Sequence, residues 1–258
     1  MIDLHCHLLP GIDDGPRDLA TSLEMARQAV GDGITTIACT PHIMPGVYDN
    51  KPDDIRRLTL QLQKALVDAA IPLRLVTGAD VHIRPDFVAA MRGNAILSLN
   101  QSRYVLFEPT HHVAPPRIED ILFHAVSSGI IPVLTHPERL TWMESSYPLL
   151  QKLVQSGVWI QITAGSVTGR FGPAAKNLAL RMLRDGLVHI MATDAHSLQR
   201  RPPLLAEGVA AAQAVLGADE ARHLVTTRPQ SILDDQATSV PLPAPAKRSL
   251  LGRLFSGG

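Results

Sequence analysis

The chain has 258 residues, 45% of them hydrophobic, enough to bury one large core. Lys plus Arg and Asp plus Glu number 24 each, a balance that gives no electrostatic footprint for nucleic acid and no bulk attraction to a membrane. Two cysteines, Cys6 and Cys39, exclude a disulfide framework and fit a reducing cytoplasm; no signal peptide is expected, and no apolar run reaches the roughly 18 residues of a spanning helix.

Strand-like and helix-like runs alternate along the chain. The first strand is read over residues 2–5, followed by a helix over 19–32 with Leu19, Leu23, Ala26 and Val30 at helical spacing. Asp32-Gly33 stops that helix, and 34–40 reads as a buried strand. A helix over 53–70 places Ile55, Leu58, Leu62, Leu66 and Ala69 on one face, opened by Pro52 and acidic Asp53-Asp54. Further strands are expected at 73–78, 104–108, 131–135, 158–163 and 188–193. Between and after them, helices are expected at 85–91, 118–128, 146–156, about 174–185, about 203–216 and 219–226.

Alternation of this kind argues for a parallel sheet, open or closed into a barrel. Metal-type residues follow nearly every strand: His5 and His7, His42, Asp80, Glu108, His136, then Asp194 and His196. An open sheet converges only a few strand ends at its switch point, whereas a barrel gathers all of them around one mouth. The expected fold is therefore α/β, a distorted TIM-like (β/α)7 barrel over residues 1–235. Residues 236–258 read as a linker carrying Pro241, Pro243 and Pro245, then a basic amphipathic tail. That tail is expected to be disordered, or at most a weak anchor to a membrane surface or partner.

His5-x-His7 sets two imidazoles on one face of a strand, with Cys6 on the other. With Asp14 from the Pro10-Gly-Ile-Asp-Asp14-Gly15 turn, the candidate donors are His5, His7, Asp14, His42, Asp80, Glu108, His136, Asp194 and His196. One ion takes four to six ligands, so such a set implies two or three ions sharing bridges. Asp194-Ala-His196 repeats the alternation of His5-x-His7.

These segments, with Thr40-Pro-His42 and His136-Pro-Glu-Arg139, resemble the PHP (polymerase and histidinol phosphatase) superfamily. Within it the spacing is similar to the bacterial capsule and exopolysaccharide tyrosine-protein phosphatases, over residues 1 to about 201. The resemblance implies a metal-dependent enzyme acting on the phosphotyrosine tail of a membrane-bound bacterial tyrosine kinase. It also implies three metals: His5, His7, Asp80 and Asp194 on the first; Asp80 bridging to a second held by Glu108 and His136; Asp14, His42 and His196 on the third. Arg139 would bind the substrate phosphate, with Asp194 and His196 beside it at the catalytic centre. Mn is the expected metal by resemblance, while mixed imidazole and carboxylate donors also suit Fe or Zn, and Mg less well. The chain departs from the family at Asp80, where Glu is usual, and after Glu108, where Pro109-Thr-His-His112 stands. His111 and His112 are read as solvated loop residues ahead of the alternative that they line the mouth of the site. The glycine-rich stretch 163–172 is read as a rim of the site.

Charge arithmetic points to a phosphate ester independently, since three divalent ions against four carboxylates leave a positive site for a dianion. A cysteine-based phosphatase is excluded: Ile12 and Pro45 stand six residues after Cys6 and Cys39, where that chemistry needs Arg. The alternatives that stay open are a small-molecule phosphatase of the same superfamily, acting on a histidinol-phosphate-like substrate, an amidohydrolase-type metal hydrolase, and a metal-binding scaffold without activity. Oligomeric state is not legible.

Overall fold

The computed structural model describes residues 1–236; the expectations for 237–258 lie outside the described residues. The chain opens with β1 (Ile2–Cys6), all five residues buried. Asp18 then caps α1 (Leu19–Gly31) by accepting the backbone N–H of Thr21 at 2.8 Å, satisfying a donor that the first turn leaves free. Next come β2 (Thr36–Cys39), β3 (His42–Ile43), α2 (Pro52–Asp68), β4 (Arg74–Thr77), β5 (Asp80–His82) and α3 (Phe87–Arg92). β6 (Tyr104–Glu108), α4 (Ile118–Ser127), β7 (Ile131–Thr135), α5 (Tyr147–Gln155) and β8 (Trp159–Thr163) follow the expected boundaries closely. The chain finishes with α6 (Ala164–Thr168), α7 (Gly172–Arg184), β9 (Ile190–Ala192), α8 (Ala206–Leu216), α9 (Ala218–His223) and α10 (Thr227–Leu233).

Every strand pairing among the described residues is parallel, so the α/β class stands. The strands do not form one continuous closed ladder, however. They make a sheet ordered β1-β2-β4 and a second ordered β3-β5-β6-β7-β8-β9. Two short strands that were not expected, β3 and β5, follow the strands expected at 34–40 and 73–78, and the breaks before them divide the sheets. The strand read over 34–40 stops at Cys39 and resumes at His42, because Pro41 has no N–H to give a ladder. The next stops at Thr77 and resumes at Asp80, across Gly78 and Ala79. Backbone bonds carry the chain over both gaps, from Gly78 N to Cys39 O and from Asp80 N to Pro41 O. At the far edge, an isolated parallel bridge joins Cys6 to Ala195.

Alternate strand residues feed two apolar clusters. β6 sends Val105 and Phe107 into the larger one, shared with the helices, and Tyr104 and Leu106 into the smaller. The smaller cluster takes Leu4, Ala38, Val76, Val133, Trp159 and Ile190, so strands of both sheets converge on it. Ile232 and Leu233 of α10 pack there too. The polar strand ends lie beyond this plug.

Two helical expectations change. The segment read as a glycine-rich rim begins as a short buried helix, α6, ending at Gly169 in the left-handed region. The helix expected at 219–226 is α9 followed by a separate α10.

Candidate metal centre

All nine candidate donors come together. Together with His111 they fall into five overlapping groups: His7–Asp14–His42–His196, His5–His7–Asp80, His5–His136–Asp194, His42–Asp80–Glu108 and Glu108–His111–His136, each with its atoms within 4.8 Å of one another. His5 and His7 do share a face, their Nε2 atoms 3.3 Å apart, while Cys6 turns into the core. The grouping differs in detail from the one the resemblance implies. His7 gathers with Asp14, His42 and His196, and Asp80 meets Glu108 through His42 without joining His136.

The local backbone explains how two of these side chains reach the centre. His136 (φ 35°) and Asp194 (φ 52°) are both in the left-handed region, a conformation unusual for such residues and found at functional sites. Both are held there by the neighbouring strand: His136 N donates to Gln161 O and Asp194 N to His5 O, each at 2.8 Å. In the Pro10–Gly15 turn, a Cβ on Gly15 would lie 2.6 Å from His7 O, so only glycine lets the turn press against the His-x-His strand.

Outer partners orient the imidazoles. His5 Nδ1 donates to Gln161 Oε1 at 2.9 Å, His7 Nδ1 to Asp13 Oδ2 at 2.7 Å, and His196 Nδ1 to the Asp194 carbonyl at 3.0 Å. In each ring this leaves Nε2 for the interior, the usual arrangement of a metal-bound histidine. Asp13 also accepts the backbone N–H of His42 and Gly15. Sequence reasoning passed over Asp13, Gln161 and Arg201. Asp13 stood beside Asp14 in the recognised turn, and Arg201 follows His196 by five residues in one loop, which is the only signal either carried.

Arg139 and Arg201 both donate to Asp194 Oδ2. Arg139 also lies over the Phe171 ring, 4.4 Å from its centroid, and Tyr48 stacks on His42 at 5.5 Å. Burial would raise the Asp194 pKa, but Arg201, His5 and Arg139 hold it well below the ordinary carboxylate range. Burial would likewise lower His5 and His42, yet facing carboxylates raise them to about 9 and about 10. For His136, burial and Arg139 together hold the imidazole well below its usual value; burial and His7 bring His196 down to about 4.

Divalent cations fit these residues. Both carboxylate oxygens of Asp80, Nδ1 of His42 and Nε2 of His196 are buried without a hydrogen bond, a costly state that a cation relieves. Where His5 and His42 meet carboxylates, a positive charge is favoured, and a metal ion takes the place of a proton at such donors. His111, expected in solvent, is half-buried with Nε2 3.3 Å from Glu108 Oε1. His112 is exposed as expected. Cys6 and Cys39 are free and buried; burial raises both thiols, Cys39 to about 12, so neither is a nucleophile.

Parallel strands whose ends gather imidazoles, carboxylates and two arginines define a candidate metallohydrolase. Residues 1–234 match the model of the family described as capsular polysaccharide synthesis, CpsB/CapC, and the chain belongs to that family. It is 38% identical to tyrosine-protein phosphatase YwqE of Bacillus subtilis over 257 residues, 99% of this chain and 100% of the relative. Tyrosine-protein phosphatase CpsB of Streptococcus pneumoniae is 30% identical over 92% of this chain and 99% of its own. A crystal structure from work on YwqE and CpsB, described as unique metal-dependent tyrosine phosphatases, superimposes with a TM-score of 0.90 at 37% identity, covering 96% of this chain and 100% of that one. An amidohydrolase from Mycoplasma synoviae shares the fold alone, with a TM-score of 0.57 at 12% identity over 98% of this chain and 93% of that one.

Proposed function

We propose that this chain is a metal-dependent protein-tyrosine phosphatase. Its proposed substrate is the phosphotyrosine tail of a membrane-bound bacterial tyrosine kinase, met in the cytoplasm, and the pathway is capsule or exopolysaccharide export. The observation that carries this reading is the convergence of nine donor residues on one centre where two guanidinium groups meet a single carboxylate. The proposed cofactor is three divalent ions, Mn preferred. His5, His7, Asp80 and Asp194 would hold the first, Asp80, Glu108 and His136 the second, and Asp14, His42 and His196 the third. The two sheets are read as one distorted sevenfold barrel, with β2–β3 and β4–β5 each a single interrupted strand and the Cys6–Ala195 bridge as its seam.

Ions bound there lower the pKa of water toward about 7 and offset phosphate charge. The chain's own side chains supply the rest. Arg139 and Arg201 present fixed N–H forks that match the equatorial oxygens of a phosphoryl group. Stacking on Phe171 holds the Arg139 plane while leaving N–H groups for substrate. Phe171 and Tyr48, both half-buried beside the centre, offer ring faces to an aryl ester. A tyrosine phenolate leaves with pKa about 10, so little general-acid assistance is needed.

Turnover of a phosphotyrosyl peptide against histidinol phosphate tests the substrate class. The proposal expects kcat/KM to favour the peptide by at least about 10²-fold, the scale of a well-fitted discrimination. A preference for histidinol phosphate would assign the chain to small-molecule chemistry instead.

A further inference from the structure

Four of the five donor groups use only the nine residues already discussed; the fifth is Glu108–His111–His136. Resting on the metal-dependent reading above, we propose that His111 is a direct protein ligand to the divalent ion held by Glu108 and His136.

The geometry around Glu108 separates its two oxygens. Oε2 faces His42 Nδ1 at 3.4 Å and His82 Nδ1 at 3.7 Å. Oε1 faces His111 Nε2 at 3.3 Å and His136 Nε2 at 3.7 Å. The His111 and His136 rings lie 5.2 Å apart, centroid to centroid, so two imidazoles converge on one carboxylate oxygen. Two imidazoles and a carboxylate, with further positions open, form a catalytic type of ligand set for a divalent transition metal.

The loop carrying His111 is built into the site. Thr141 donates to the His111 carbonyl through its backbone N at 3.0 Å and its Oγ1 at 3.2 Å. The buried Trp142 donates from Nε1 to the Thr110 carbonyl at 2.9 Å. Thr141 and Trp142 follow the turn of residues 136–139 after one residue, Leu140, so the loop after β6 and the turn that presents His136 are tied together. His112, its exposed neighbour, belongs to none of the donor groups, and this makes it the natural control.

The simplest rival role is a hydrogen bond from His111 that merely orients Glu108. A glutamine could keep such a bond but is a poor substitute for an imidazole ligand. Titration of the metal-depleted full chain with Mn(II), reading free Mn(II) by electron paramagnetic resonance, separates the two. With His111→Phe and with His111→Gln, one equivalent should bind more than about 10²-fold more weakly than in the wild type, beyond the roughly 10- to 100-fold that loss of an outer partner costs, while His112→Phe binds as the wild type does. Wild-type affinity for every equivalent in His111→Phe, or full recovery in His111→Gln alone, would overturn the ligand role and leave the metal-dependent reading intact. A wild-type chain that binds no Mn(II) would overturn that reading, and this inference with it.

Discussion

Arg201→Ala removes one of the two guanidinium groups on Asp194 Oδ2. The Arg201 side chain is 24% exposed and that of Arg139 15%, whereas Asp194 is 1% exposed. Both arginines therefore act in a partly screened site, where an effective dielectric near 20 applies. A guanidinium about 4 Å from one phosphate charge then contributes about 4 kcal/mol. Exposure reduces this to about 3 kcal/mol, so each single alanine variant should lose roughly 10²-fold in kcat/KM on a phosphotyrosyl peptide. Because both groups serve one anion, the double variant should lose less than the product of the two. Arg201→Lys should recover little, since an ammonium cannot reproduce the fork. Metal content by elemental analysis should stay at the wild-type level in every variant, as neither arginine is a donor. Unchanged kcat/KM, or a loss of metal parallel to the loss of rate, would refute the assigned role.

Asp80→Ala should abolish turnover and deplete metal, whereas Asp80→Glu should keep or improve both; wild-type activity and metal in the alanine variant would remove Asp80 from the centre. Gly15→Ala forces a Cβ against His7 O at 2.6 Å and Asp13 Oδ1 at 3.0 Å, so thermal melting should show a loss of about 1–3 kcal/mol, and an unshifted melt would show that the turn has room. His189 is buried, accepts the Ile160 N–H at Nδ1, and is brought down to about 3 by burial and then by Arg228. Its folded pKa lies below its unfolded value of about 6.5, so stability present at neutral pH is lost as pH falls from about 6.5 toward 3. That loss is about 2 kcal/mol by pH 5. His189→Asn keeps an acceptor without the titration, and its urea midpoint should fall less than the wild type's between pH 7 and pH 5; equal falls would refute the assignment.

Legibility in the sequence followed the physics of each feature. β6 and β7 were readable to the residue because their apolar, β-branched runs end in sharp polar boundaries. Pro41 marks the first break in the sequence, but the short strands resumed at His42 and Asp80 were not legible, since they depend on backbones pairing across the gaps. α6 was hidden by its Ala-Gly-Ser-Val-Thr composition, which reads as loop; Glu138 Oε1 accepts the Thr163 N–H at 2.8 Å where it begins, a contact no local pattern encodes. Eight of the nine donors were legible because they stand at, or within three residues of, the C-terminal end of an expected strand, and Asp14 because it sits in the Pro10–Gly15 turn. Gln161 was not, being one residue within a strand, and neither was the half-burial of His111, which depends on Thr141 and Trp142 holding its loop over His136.

The most direct measurement of the central claim is phosphotyrosyl-peptide turnover by the protein stripped of metal with a chelator, followed through a titration with Mn(II). Turnover should be absent at zero occupancy and rise with bound Mn(II) to the untreated rate. Full turnover in protein shown by elemental analysis to be free of metal would contradict the account.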